Sequence, residues 1–163
     1  MALTGYVSGL IVQSVPTKGN MKVDRFTADG TWTVPAGVSY AIAHIRAGGG
    51  STGTASWATG GTSSVAFASG TISATGGGGM RIRYIETNYH VTGATNSGQG
   101  GMTYGTNGAG SEGQFFAAAG AEIVAGAAVT AGASIAITVG AGATAGTGGA
   151  AGGSGYVWIE YLA

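Results

Sequence analysis

Two histidines, His44 and His90, and six carboxylates are the groups this chain offers for acid–base or metal chemistry, and it has no cysteine. A zinc site takes three or four protein ligands. The sequence has neither an H-x-x-x-H pair nor a carboxylate cluster, so no metal site is assigned. On a threefold axis one histidine per chain could complete a three-histidine site, but a strand-face histidine is the simpler reading of both. A serine nucleophile needs a histidine and an orienting acid. No serine sits in a G-x-S-x-G elbow, and Gly153-Ser154-Gly155 precedes a strand pattern rather than a helix. Glycoside cleavage needs two carboxyls about 5–9 Å apart, and the spacing of Asp29, Glu86, Glu112, Glu122 and Glu160 pairs none of them. Gly48-Gly49-Gly50 and Gly76 to Gly79 lack the Lys-Ser/Thr and helix of a phosphate-cradling loop. No catalytic residue and no cofactor are assigned, and the expected protein is not an enzyme.

Binding is what remains. Carbohydrate recognition uses aromatic faces and planar polar groups on loops held by a rigid scaffold. The stretch 80–114 supplies Tyr84, Asn88, Tyr89, His90, Tyr104 and Asn107, and Trp57 is a second aromatic in a polar loop. These seven are the candidate receptor-binding residues. Trp32, Trp158 and Tyr161 lie inside strand patterns and are read as core.

The elements that must hold them are strands. Thr31 to Val34 is rich in β-favouring types, between Asp29-Gly30 and Pro35-Ala36-Gly37 turn signals. From Ser39 to Ala47 the chain alternates, Ala41, Ala43 and Ile45 on one face and Tyr40, Ile42, His44 and Arg46 on the other. Ile42 on that more polar face suggests that the face meets a neighbour. Ser63 to Thr75, Glu122 to Val129, Ser134 to Val139 and Tyr156 to Tyr161 read as further strands. Thr92 to Gly113 reads as polar loop, and Phe115 to Ala121 as a helical turn or a small-residue β segment. The class is all-β.

Composition bounds the rest. Six basic and six acidic side chains cancel, which argues against the electrostatic footprint of a nucleic-acid binder and against a polybasic membrane anchor. No run approaches the roughly 18 apolar residues of a membrane span. The start Met1-Ala2-Leu3-Thr4 lacks the basic and apolar regions of a secretory signal, so neither membrane insertion nor an adhesin secreted by a bacterium is expected. Glycine accounts for 35 of 163 residues, about threefold above average usage. Each glycine inside a regular element costs roughly 0.5–1 kcal/mol against alanine, while a domain's net stability is only about 5–15 kcal/mol. The glycines must therefore sit in turns, pack backbones closely, or gain burial between subunits, which favours an oligomer. Their spacing in Gly140 to Gly155 is not collagen's every-third pattern, and a close-packed glycine layer is left open. Residues 1–25 differ: glycine is sparse, Leu10, Ile11, Val12 and Val15 form an apolar cluster, and Lys18, Lys22, Asp24 and Arg25 concentrate charge. They read as an attachment or assembly segment before a domain at 26–163.

Phe26-x-x-x-Gly30-Thr31-Trp32-Thr33-Val34-Pro35-Ala36-Gly37-Val38 followed by Gly48-Gly49-Gly50 resembles the opening of the glycine-rich domain of tailed-phage tail-fibre and tail-tip proteins. Ala131 to Gly142 resembles its penultimate strand, and Gly152 to Tyr161 its end, in the family's order. The chain departs from the family's long poly-glycine tracts by inserting Trp57, Phe67 and the 80–92 stretch. The resemblance implies a glycine-rich β-sandwich-like domain, assembled as a homotrimer near the end of a fibre. It further implies a virion protein made in the host cytoplasm. Residues 1–25 would join it to the phage baseplate or an adjoining fibre protein, and loops would bind a host cell-surface glycan or outer-surface protein. The alternative is a purely architectural baseplate or fibre component.

Overall fold

Alternation of small or branched apolar residues with polar ones builds the frame of this chain. The computed structural model describes residues 19–81, 89–91, 93, 98–106 and 112–163. Among them there is no helix, and the strands follow as β1 Met21–Phe26, β2 Gly30–Thr33, β3 Tyr40–Arg46, β4 Thr52–Gly53, β5 Ser63–Phe67, β6 Gly70–Ala74, β7 Met80–Arg81, β8 Tyr89–Val91, β9 Met102–Thr106, β10 Glu112–Phe116, β11 Glu122–Ala128, β12 Ser134–Thr138 and β13 Tyr156–Leu162. The protein is all-β. Sheet I has the order β1-β13-β3-β11 and sheet II the order β2-β12-β5-β6, both antiparallel. A three-stranded antiparallel sheet has the order β10-β9-β8, and β4 pairs in parallel with β7.

The period of two decides which residues are buried. Ala41, Ala43 and Ile45 of β3 and Val157 and Ile159 of β13 point inward from sheet I, and Trp32, Val65, Phe67, Ile135 and Ile137 point inward from sheet II, forming one hydrophobic cluster. Alanine buries little area, so Trp32 and Phe67 supply bulk where β3 offers methyl groups. The Trp32 indole N–H donates to the Asp24 carboxylate at 2.8 Å, tying β2 to β1 across the two sheets. The Asp29-Gly30 turn joins strands of different sheets rather than closing a hairpin, and the Asp29 carboxylate accepts the Val139 N–H at 2.8 Å. Gly37 takes φ +82° in the turn after Pro35, a left-handed conformation suited to glycine. Residues 21–25, the end of the N-terminal segment, form most of β1 and pair with β13; residues 1–18 lie outside the described residues.

Between the sheets and the remaining loops stands a bundle of extended segments. Its centre is 47–52, whose N–H groups turn through three neighbours in strict rotation. Ala47 donates to Ala121 and Gly50 to Ala118; Gly48 donates to Gly61 and Ser51 to Ala58; Gly49 donates to Gly153 and Thr52 to Ala150, all at 2.9–3.0 Å. Each neighbour is met again three residues later, and the partner number falls by three, so these three segments run antiparallel to the centre. The carbonyls of the same segment serve three more. Gly48 and Ser51 accept from Gly77 and Met80, Gly49 and Thr52 accept from Ala143 and Gly146, and Gly50 accepts from Gly101. Here the numbers of the paired donors rise together with those of the acceptors, so the 77–80 and 143–146 segments run parallel. A three-residue period with every hydrogen bond made to a neighbour is the pattern of a three-residue-per-turn extended helix. Six such segments surround the central one.

This packing states why glycine is required. An alanine methyl at Gly48 would lie on the Ala141 carbonyl, at Gly49 on the Gln99 carbonyl, and at Gly50 on the Gly78 carbonyl. Three successive residues point at three different backbones, so all three must lack a side chain. At the sheet end of the bundle a hydroxyl seals the junction. Ser63 Oγ donates to the Arg46 carbonyl at 2.7 Å and accepts the Gly140 N–H at 2.8 Å. Part of the glycine cost is thus offset inside one chain, by backbone hydrogen bonds and close contact.

Candidate functional site

The bundle gives the molecule two poles. β3 enters it at Ala47 and the central segment leaves it at Gly53, a run of about 20 Å at roughly 3.1 Å per residue. The residues paired near Ala47 and Gly48 are 121, 61 and 77; those paired near Ser51 and Thr52 are 58, 80, 146 and 150. The 54–57 turn, β7, the β9–β10 hairpin and the 147–149 turn therefore all project from the end away from the sheets. The hairpin is rooted on both sides, because Gly101 donates to Gly50 and Ala117 donates to Gly101.

At this pole Trp57 stands 43% exposed, with the Arg81 guanidinium 5.6 Å from its ring centroid. Such a cation is attracted by the indole face, by about 0.5–1 kcal/mol at an exposed site. The turn beneath is pinned by Thr54 Oγ1, which donates to the Thr147 carbonyl at 2.8 Å, and by Ser51 Oγ, which accepts the Ala58 N–H at 2.9 Å. The fold brings Tyr89 and Tyr104 together as register partners on β8 and β9, with Gln114 of β10 next in the same row. His90 is the register partner of Thr103, and Phe115 continues that row. Tyr84, Asn88 and Asn107 lie outside the described residues. The segment read from sequence as polar loop is different here: residues 102–106 and 112–113 lie in strands. Of 115–121, read as a helical turn or a small-residue β segment, Phe115 and Phe116 end β10 and 117–121 joins the bundle. Their pairing runs between segments, which no local pattern of Gly, Asn and Thr announces. Arg81 was not among the candidates; its place beside Trp57 arises from the parallel β4–β7 register.

The other pole carries a second feature, the outer face of sheet I. Register sets its rows as Tyr156, Arg46 and Glu122; then Arg25, Trp158, His44 and Val124; then Val23, Glu160, Ile42 and Gly126; then Met21, Leu162, Tyr40 and Ala128. Trp158 is thus on this face and not in the core where the sequence put it, because Val157 and Ile159 take the inward positions. Arg25 lies 5.2 Å from the Trp158 ring centroid, and the His44 and Tyr156 rings lie 5.2 and 5.1 Å from it. Arg46 pairs with Glu122 at 2.8 Å, while His44 Nε2 is 3.4 Å from Glu160, longer than a usual hydrogen bond. Burial, then the negative charge of Glu122, push the Tyr156 hydroxyl above the ordinary tyrosine range, against the lowering influence of Arg46. On the inner face, burial and a hydrogen bond to Asp24 do the same to Tyr161. His44 Nε2, Arg46 Nε and Trp158 Nε1 are buried and have no hydrogen-bond partner among the described residues.

Among the described residues no three His, Asp or Glu side chains gather where a metal ion could be held, and no helix is long and apolar enough to cross a membrane. Comparison with protein-family models and with curated proteins found no match.

Proposed function

We propose that this chain is a virion protein of a tailed bacteriophage, a tail-fibre or tail-tip component that recognises the host surface and mediates adsorption. The observation that carries the reading is the separation of the two poles by a glycine-built stem. The described chain starts and ends at the sheet pole, where Gly19 lies by Leu162 and Ala163. The turn bearing Trp57, β7 with Arg81 and β9 with Tyr104 lie at the other. A protein that must be held at one end and present contacts at the other needs such a stem to be stiff, and a bundle bonded on six sides is stiff. The resemblance of residues 26–50, 131–142 and 152–161 to the phage glycine-rich domain points the same way. In this reading sheets I and II form a β-sandwich, three copies assemble, and residues 1–25 lead to the baseplate or adjoining fibre protein. The target is a host surface glycan or outer-surface protein, bound by contacts that add across three copies.

Salt separates this mechanism from charge-driven adhesion. Screening acts mainly on exposed charge, and the contacts invoked are aromatic and planar polar. Labelled chain applied to a panel of bacterial strains is expected to stay bound to its host strain from 50 mM to 1 M NaCl. Loss of binding across that range would contradict the loop mechanism.

A further inference from the structure

We infer that β1 is a mechanical clamp, which takes tension entering the chain from its N-terminal side and passes it sideways into the sheet that continues as the stem. This uses the two poles and the strand register, and not the identity of a receptor. β1 is an edge strand, hydrogen-bonded to β13 alone. Of the eight strands of sheets I and II it is the one with no buried residue. Ladder bonds and a few side-chain ties therefore hold it. Ala163 donates to the Asn20 carbonyl at 3.3 Å, and in an antiparallel ladder the doubly bonded pairs recur at every second residue. Lys22 with Tyr161, Asp24 with Ile159 and Phe26 with Val157 are thus the bonded pairs, while the N–H groups of Met21, Val23 and Arg25 face away from β13. The Asp24 carboxylate adds its bond to the Trp32 indole in sheet II, and Arg25 its contact with the Trp158 ring.

Direction turns these bonds into a clamp. β13 leaves the bundle after Gly155 and ends at Leu162, beside Gly19, so antiparallel β1 runs from the sheet pole toward the bundle. Tension on Asn20 away from the bundle lies along the strand and across its bonds, because antiparallel ladder bonds stand perpendicular to the strands. It loads the three bonded pairs together. Residues 27–29 then cross to sheet II at the bundle end, where the Asp29 carboxylate holds the Val139 N–H. β2 runs back toward the sheet pole, with Gly30 opposite Ile137 and Thr33 opposite Ser134. The same tension applied at that crossing would peel the strands from one end, a pair at a time. Farther along the load path, β3 leads into the central segment. It has β13 and β11 on its two sides and buries Ala41, Ala43 and Ile45, so β1 is the element that sets the load at which the link fails.

The test is single-molecule force spectroscopy of the full chain through paired cysteine handles, which are unique because the chain has no cysteine. Asn20, Ala28 and Ala55 are exposed, Ala28 at the crossing and Ala55 in the 54–57 turn of the far pole. N20C/A55C is expected to rupture at a force roughly threefold above that of A28C/A55C at the same loading rate, since three bonded pairs share the load in one geometry and one carries it in the other. Two prolines in N20C/A55C check the register. Val23→Pro removes an N–H that faces away from β13 and is expected to leave the force unchanged, as proline is tolerated on the open side of an edge strand. Lys22→Pro removes a ladder donor and is expected to lower the force by roughly a third, one bonded pair of three. Equal forces at the two handle positions would overturn the clamp, and so would equal effects of the two prolines. Adsorption plays no part in the readout, so the clamp can fail while the receptor reading stands, and the reverse.

Discussion

Gly49→Ala is expected to destabilise the protein by about 3 kcal/mol or more, the upper range of overpacking, and to lower Tm by roughly 10 °C. The added methyl would lie on the Gln99 carbonyl, with the Gln99 carbonyl carbon and the Gly100 nitrogen also inside contact distance. These are backbone atoms fixed by hydrogen bonds: Gln99 accepts from Gly153, and Gly49 itself donates to Gly153. No rotamer change relieves the clash, so the 98–101 segment must move and take its bonds with it. Gly78→Ala is the matched control. It sits in an equally glycine-rich run, but nothing lies within 4 Å of its methyl position. That change is expected to leave Tm unchanged, or to raise it slightly by restricting the unfolded chain. Thermal unfolding of the two variants beside the parent checks both. Equal melting of Gly49→Ala and Gly78→Ala would mean that the stem is not close-packed.

The second large effect is expected in adsorption. Replacing Tyr89, His90 and Tyr104 together with alanine removes the candidates that the fold brings onto neighbouring strands. At about 1 kcal/mol for each contact, a modest value for an interface aromatic, the intrinsic affinity falls roughly 100-fold. Avidity raises the loss further, because every copy is weakened at once. Trp57→Ala alone is expected to reduce binding about tenfold, since Arg81 and the pinned turn hold the indole ready for contact. Tm should stay within a few degrees of the parent in both cases. Binding within twofold of the parent, with normal assembly, would instead favour an architectural component without a receptor role.

How far the sequence alone carries can be traced residue by residue. Alternation at a period of two located β3, β12 and β13, and it set Ala41, Ala43 and Ile45 on one face, the face the fold buries, because a strand with one buried face writes its register into composition. The same rule sets Trp158 outward, which its size alone did not suggest. The glycine bundle was legible only as a possibility. Each segment is bonded to several others far away in sequence, so the three-residue rotation appears in the partners and not in the spacing of the glycines. Collagen's period comes from one crowded axis. Here Gly48, Gly49 and Gly50 are crowded on successive sides, which makes a run rather than a repeat. β9 and the start of β10 were missed for a related reason, as a hairpin rooted in glycine segments carries little apolar alternation. Among the site residues the aromatic types were visible, but the pairing of Tyr89 with Tyr104 and the cation beside Trp57 come from register alone.

A stem of unbroken backbone hydrogen bonds joins the two poles, and amide hydrogen exchange reads it directly. Residues 47–52 lie mostly outside any sheet, yet every one of their N–H groups is donated to a neighbouring segment. Exchange of Gly48, Gly49 and Gly50 as slow as that of Ile45 and Ile159, governed by global unfolding, is the predicted result. Exchange at the rate of an open glycine loop, with Ile45 still protected, would contradict the stem and with it the presentation of Trp57 and Tyr104 at a fixed distance from the sheets.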